Sequence, residues 1–322
     1  MNKITKFVNN ASIKRFRFWF QIVAFFIIIY GGYAAIEIGE NLPTFACPYL
    51  DKPGGTCFLM GLQHRFTLPF DQFISFRGLA IITSILFFLA GFVFLNKAWC
   101  GYVCPIGTLQ DWFTKIRQKL GIRYSNYSEK KFKKLKKIKY ILLALLILIP
   151  LGIANSIPGV GKLSHDWGVP FCMVCPGRTV LPIFNGDFSQ LTIDFSSKTK
   201  MVFTFLGMAV TGMFFAGAFY KKRFFCFFCP MSAFQFIFKK LGLLRLVKDG
   251  SKCTKCGDCY RACDMGIREI ADDVENKDIV KDDCMMCFKC VAACPEEGCL
   301  KVNFLSKTIY KATEEGFYKR TK

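Results

Sequence analysis

Of the 17 cysteines in this 322-residue chain, eight fall on one spacing written twice. Cys253, Cys256, Cys259 and Cys263 read CxxCxxCxxxC; after an acidic connection Cys284, Cys287, Cys290 and Cys294 repeat it, with Pro295 following. Two-residue gaps let three thiolates curl around one iron–sulfur cube, and the three-residue gap throws the fourth thiolate clear of it. Zinc sites use CxxC pairs set well apart, often with His, whereas here four cysteines crowd into eleven residues with no His nearby.

In two-cluster ferredoxins that fourth cysteine ligates the other cube. Cys253, Cys256, Cys259 and Cys294 are therefore assigned to one [4Fe-4S] cluster, and Cys284, Cys287, Cys290 and Cys263 to a second. Asp264 follows Cys263 where this pattern usually has Pro. It removes no ligand, so its effect is expected on the local turn or the cluster potential.

The remaining cysteines lie mostly in an apolar setting, since the chain is 52% hydrophobic and carries 37 Phe. Four uncharged windows, Phe18 to Ile36, Gly78 to Asn96, Tyr140 to Gly161 and Met201 to Tyr220, are each near the ~20 residues that cross a bilayer. They predict four transmembrane helices, the first of which should stay as an anchor because no secretory cleavage pattern precedes it. Lys97 to Lys139 holds 12 Lys or Arg, against 3 in Glu37 to Arg77 and 4 in Lys162 to Lys200. The positive-inside rule then places both termini, the central basic loop and the C-terminal clusters in the cytoplasm, with the two poorer loops outside. The net charge of +21 follows from basic residues beside helix ends, and no nucleic-acid recognition motif accompanies it. Between Ser128 and Lys139, Phe132, Leu135 and Ile138 share a helical face among lysines. That segment fits either an interfacial helix or a solvated charged face. Pro150 is expected to kink the third helix.

On this topology Cys100, Cys104, Cys226 and Cys229 lie at the inner face, and Cys47, Cys57, Cys172 and Cys175 lie in the outer loops; Cys299 is left as a spare thiol. Cys104-Pro105 continues to Gln110 and Phe113, and Cys229-Pro230 to Gln235 and Phe238, at the same offsets. The membrane part thus reads as two copies of one hairpin, whose inner motifs are expected to face each other and could share a third cluster. Buried thiols as ordinary packing are the plainer alternative. The outer four suit a cluster at the outer face, disulfides, or a dithiol pair at Cys172 and Cys175. With redox centres on both faces, ~30 Å of hydrocarbon would call for a quinone, flavin, haem or other intermediary. His64 and His165, both in outer loops, could take protons from a quinol or ligate a haem; an ordinary hydrogen-bonded His is the other reading of each.

The four helices, Cys100-GYV-Cys104-Pro105, the second motif at Cys226 to Pro230 and the C-terminal double pattern together resemble the NapH-like membrane polyferredoxins over nearly the whole chain. That family usually shows CxxxCP twice, and here the second copy, CxxCP, is one residue shorter. The resemblance implies electron transfer between the quinone pool and a partner protein within a prokaryotic cytoplasmic membrane, as a quinol dehydrogenase component. A metal or disulfide reductase using the outer cysteines, and a redox-sensing or assembly module, are the alternatives. The expected architecture is a mostly α membrane protein with a C-terminal α+β ferredoxin domain. Its expected parts are a basic arm at 1–17, membrane helices at 18–245, the two-cluster domain at 246–305 and a polar tail at 306–322.

Overall fold

The computed structural model describes residues 13–72, 76–122, 129–155, 167–281 and 283–314. The longer elements are α1 (Ile13–Tyr30), α2 (Phe58–Arg65), α3 (Phe76–Leu95), α4 (Pro105–Lys119), α5 (Glu129–Ala154), α6 (Pro170–Val174), α7 (Pro176–Val180), α8 (Lys198–Tyr220) and α9 (Pro230–Ile237). Three short helices follow, α10 (Asp258–Arg261), α11 (Glu269–Asp272) and α12 (Lys289–Ala292), with strands β1 (Leu244–Lys248), β2 (Leu300–Phe304) and β3 (Lys307–Lys311).

Among the described residues, three stretches are long and apolar enough to cross a membrane: Ile13–Ala34, Gly78–Leu95 and Lys198–Tyr220. Trp19, Val23 and Phe26 on α1, Ile82, Leu86 and Phe87 on α3, and Val202 and Phe205 on α8 are exposed. Large apolar side chains turned outward along three helices are what a lipid-facing surface requires and a water-facing one avoids. The expected window at Tyr140 to Gly161 begins inside α5, which contains Pro150, and runs past Asn155 out of the described residues. The lysine-rich stretch before it is continuous with the same helix.

Contacts divide the chain into two units. The first gathers the described parts of Met1–Ala24, Phe92–Val103 and Gln235–Lys322. Its core is the antiparallel sheet β1-β2-β3, with Leu244 opposite Phe304 and Val302 opposite Tyr310. Leu244, Leu246 and Lys248 alternate inward along β1 while Arg245 points out, the period-two pattern of a half-buried strand. The sheet runs beyond 305, so the polar tail expected from 306 begins with a strand. The end of α3 is stitched to β1 through Asn96, which adopts φ 48° and donates its carboxamide to Lys239 O (3.2 Å) and Leu244 O (3.0 Å). Asn tolerates this left-handed geometry at a helix end better than most residues.

Asp264 also acts in this unit. Buried at 5% exposure, it accepts from Arg17 (3.4 Å) and from Lys289 (2.5 Å). Arg17, at 4% exposure, and Gln21 both donate to the carbonyl of Gly101 at 3.0 Å. The missing Pro is thus replaced by a carboxylate that neutralises a cation of α1.

The second unit, Phe25–Gly91 and Cys104–Phe234, carries the loops expected outside. Parts of both are buried against the helices. Phe58 at the start of α2 is fully buried, its ring 4.5 Å from that of Phe88, past the middle of α3, and 5.0 Å from that of Phe234 in α9. A Cβ on Gly207, near the middle of α8, would meet Met173 O at 2.7 Å, and Thr179 shares a 2.6 Å hydrogen bond with Thr211. Both loops therefore re-enter the helical layer. Irregular backbone is tolerated at that depth when protein rather than lipid surrounds it. The chain doubles back there at Gly54, whose amide donates to Ile28 O at 2.9 Å.

Removing one partner of a buried ion pair strands the other charge. Asp264→Ala should destabilise the first unit by about 3 kcal/mol, and Arg17→Met with Asp264→Leu should recover most of that loss. Denaturant unfolding of the detergent-solubilised protein, followed by near-UV circular dichroism, checks this.

Candidate iron–sulfur centres

Each Cys-Pro pair preceding a helix uses the same local grammar. Cys104 is the N-cap of α4 with Pro105 at its first position, Cys175 and Pro176 stand likewise at α7, and Cys229-Pro230 opens α9. Proline there wastes no N–H, and the helix N-terminus offers unpaired amides to a thiolate just before it.

In the first unit, Cys253, Cys256, Cys259 and Cys294 line one pocket. Lys248, 2% exposed, also lines it, its ammonium held by the carbonyls of Ile270 (2.8 Å) and Ala271 (3.0 Å). A buried cation beside four thiols suits an anionic occupant. Cys299, left unassigned in the sequence, lies in the same wall. Its thiol donates to Asp249 O at 3.5 Å, and its nearness to Cys294 holds Cys294 below the usual thiol range and Cys299 above it. Its place five residues after Cys294 was the available signal.

Cys263, Cys284, Cys287 and Cys290 form the second group, close enough that Cys263 feels Cys287 and Cys284, and Cys290 feels all three others. Cys290 also feels Cys259, which links the two groups. Burial raises Cys263 to about 12 and Cys284 to about 11, with Lys97 opposing the latter. Among the described residues no three His, Cys, Asp or Glu converge as around a single ion. Thiols gathered without converging on one point suit the spread ligands of a cube.

The wide π-type turn Trp99–Val103, between α3 and α4, packs against this second group. Tyr102 donates to Cys287 O at 3.2 Å, and a Cβ on Gly101 would lie 2.5 Å from Met285 O. Only glycine allows that approach.

The inner cysteines divide between the units: Cys100 belongs to the first, and Cys104, Cys226 and Cys229 to the second. Equivalent glutamines attend them. Within the first unit the Cys100 thiol donates to Gln235 Oε1 at 3.0 Å. Within the second, Gln110 donates to Cys226 Sγ at 3.7 Å and accepts from the Phe225 amide at 2.9 Å. Each glutamine of one motif thus touches a cysteine of the other. Arg223, 1% exposed and two-pronged onto Asp111 (2.9 and 2.6 Å), lowers the cost of negative charge on Cys226.

Cys47, Cys57, Cys172 and Cys175 line one cavity with Phe45, Tyr49 and Arg178. Cys47, Cys57 and Cys175 are each 8% exposed, which withdraws them from an external protein disulfide. Burial pushes Cys47 and Cys172 up to about 12 and Cys57 up to about 11. His64 stands in the last turn of α2, not in a loop as expected, and is exposed; His165 lies outside the described residues.

A family model described as "4Fe-4S binding domain" matches residues 77–123 and again 203–247, and one described as "4Fe-4S dicluster domain" matches 245–295. The ferredoxin-type protein NapH of Haemophilus influenzae is 26% identical, covering 88% of each chain. The Escherichia coli protein of that name is 22% identical over 84% of this chain and 78% of its own. Over most of its length this chain is similar to the NapH-like polyferredoxins. The putative electron transport protein YccM of E. coli is 23% identical to this NapH-like chain, over 77% of it and 63% of YccM. No solved structure matches.

Two outcomes follow for this NapH-like protein. In cluster-free protein at pH 8 the raised thiols stay protonated, so iodoacetamide should modify exposed Cys256 at least about tenfold faster than Cys57 or Cys172, read by peptide mass spectrometry. Gly101→Ala, by pushing on Met285, should alter the EPR g-values of the cluster assigned to Cys263, Cys284, Cys287 and Cys290 and leave the other ferredoxin signal in place.

Proposed function

We propose that this protein passes electrons between the membrane quinone pool and a partner protein, through two [4Fe-4S] clusters in its ferredoxin domain and a third at the inner Cys-Pro motifs. It is an iron–sulfur electron-transfer protein of the membrane, as its helices, both domain matches and the relatives named for electron transport support. The observation that carries the route is the Trp99–Val103 turn: a membrane-spanning helix ends on the backbone of the Cys284–Cys290 loop, with Tyr102 bonded to Cys287.

Bound cubes supply one-electron storage at potentials set by charge and by hydrogen bonds to sulfur. The chain's own residues do the tuning. Lys248 and Lys97 place positive charge by the two ferredoxin groups, favouring the more negative reduced state. Gln110 offers an N–H to Cys226 Sγ, with the same sense. The third cluster, assigned to Cys100, Cys104, Cys226 and Cys229, is supported by the repeated family match, as is the reading of two related hairpins. Lysine and arginine distribution supports a cytoplasmic ferredoxin domain in a prokaryotic inner membrane. The quinone end rests on the family resemblance, with exposed His64 as a proton acceptor.

Anaerobic addition of a menaquinol or ubiquinol analogue to the purified protein tests this reading. The visible iron–sulfur absorbance should bleach, and a quinone-site inhibitor should prevent it. A protein that carries clusters but is not reduced by either quinol would be a sensing or assembly module, and reduction of Cu(II) or a disulfide in its place would make it a reductase.

A further inference from the structure

We propose that Cys47, Cys57, Cys172 and Cys175 hold a further [4Fe-4S] cluster, buried among the re-entrant loops, that acts as a halfway station for electrons. Its role rests on the electron-transfer reading above; its existence does not.

The molecule supplies its own standard for such a site. The four ferredoxin thiols Cys253, Cys256, Cys259 and Cys294 line one pocket, and the four membrane-unit thiols line another. Four thiols on one pocket, three of them buried, suit an occupant that binds them all. A tetrahedral zinc ion would need all four sulfurs about 2.3 Å from one point, and among the described residues no three such ligands converge in that way.

Backbone amides near three of the sulfurs favour their thiolates: those of Leu59 and Met60, at the start of α2, for Cys57; that of Gly177, at the start of α7, for Cys175; and that of Tyr49 for Cys47. Cys172 receives the carboxamide of fully buried Gln63 at 3.2 Å, and Gln63 is itself fixed by the Phe171 amide at 3.0 Å. Such donors suit thiolates bound to a metal cluster and add nothing to a disulfide. Arg178, oriented by Gln190 (2.8 Å) and laid 4.8 Å over the Tyr49 ring, brings a cation to a wall otherwise apolar.

Placement supplies the purpose. Because both loops reach the middle of the helical layer, these thiols are not at the far face of a ~30 Å barrier. Cys57 lies within electrostatic reach of Cys104, and the Phe45 ring is 6.1 Å from that of Phe225, next to Cys226. One long crossing becomes two shorter steps. One electron enters and one leaves, and no bond is made or broken.

Iron and acid-labile sulfide are counted on the full-length protein, purified anaerobically in detergent, beside a Cys47→Ser/Cys175→Ser variant. The variant should lose about four irons per chain and keep its reduced ferredoxin EPR signals, which also report that it folds. Gln63→Leu should keep the full iron count and lower one midpoint potential. Equal iron in wild type and the double variant would overturn the site, as would an intact mass showing Cys47, Cys57, Cys172 and Cys175 joined as disulfides, or the loss of zinc in place of iron. Failure of quinols to bleach the protein would leave these counts unchanged and would refute only the quinone route.

Discussion

The carbonyl of Met285 occupies the space where residue 101 would carry a side chain. That backbone approach brings the end of a membrane helix onto the loop of Cys284, Cys287 and Cys290, and much else in the first unit secures it. Arg17 and Gln21 hold the Gly101 carbonyl from α1, and Tyr102 bonds to Cys287. Asp264 then pairs with Arg17, so the ferredoxin backbone next to Cys263 answers the same cation that fixes the turn. The two-cluster domain has an apolar core that includes Leu246, Ile279, Val291 and Val302. Ionic and backbone contacts to α1 and the turn add to it.

A second constraint is charge. Thiolates are costly in apolar surroundings, and burial accordingly raises Cys47, Cys57, Cys172, Cys263 and Cys284 as thiols. The chain answers with a cation beside each group: Lys248 and Lys97 in the first unit, Arg178 and Arg223 in the second. Cys-Pro at a helix start adds amides to the same end. The motif therefore places a ligand and prepares its surroundings in one step.

The grouping of ferredoxin cysteines was legible because it rests on short spacing, and the structure brings the same residues together. The apolar helices were legible from composition. The loops were not. Pro43, Pro48, Pro53, Gly54 and Gly55 signal turns whether the chain runs over a surface or folds back inside, and only the burial of Phe45 and Phe58 separates the two cases. Asp264 could be noticed as a departure, but its partner Arg17 is 247 residues away and no local pattern joins them. Gln110 and Gln235 were visible as a repeat. Their exchange between motifs is a property of the folded chain.

The claim on which the account stands is that these buried thiols carry iron–sulfur cubes. Low-temperature EPR of the full-length protein, purified anaerobically and reduced with dithionite, tests it most directly. The account predicts fast-relaxing [4Fe-4S] signals broadened by spin–spin interaction, since Cys259 of one ferredoxin group and Cys290 of the other lie within electrostatic reach. A colourless, EPR-silent protein binding zinc at those cysteines would contradict it.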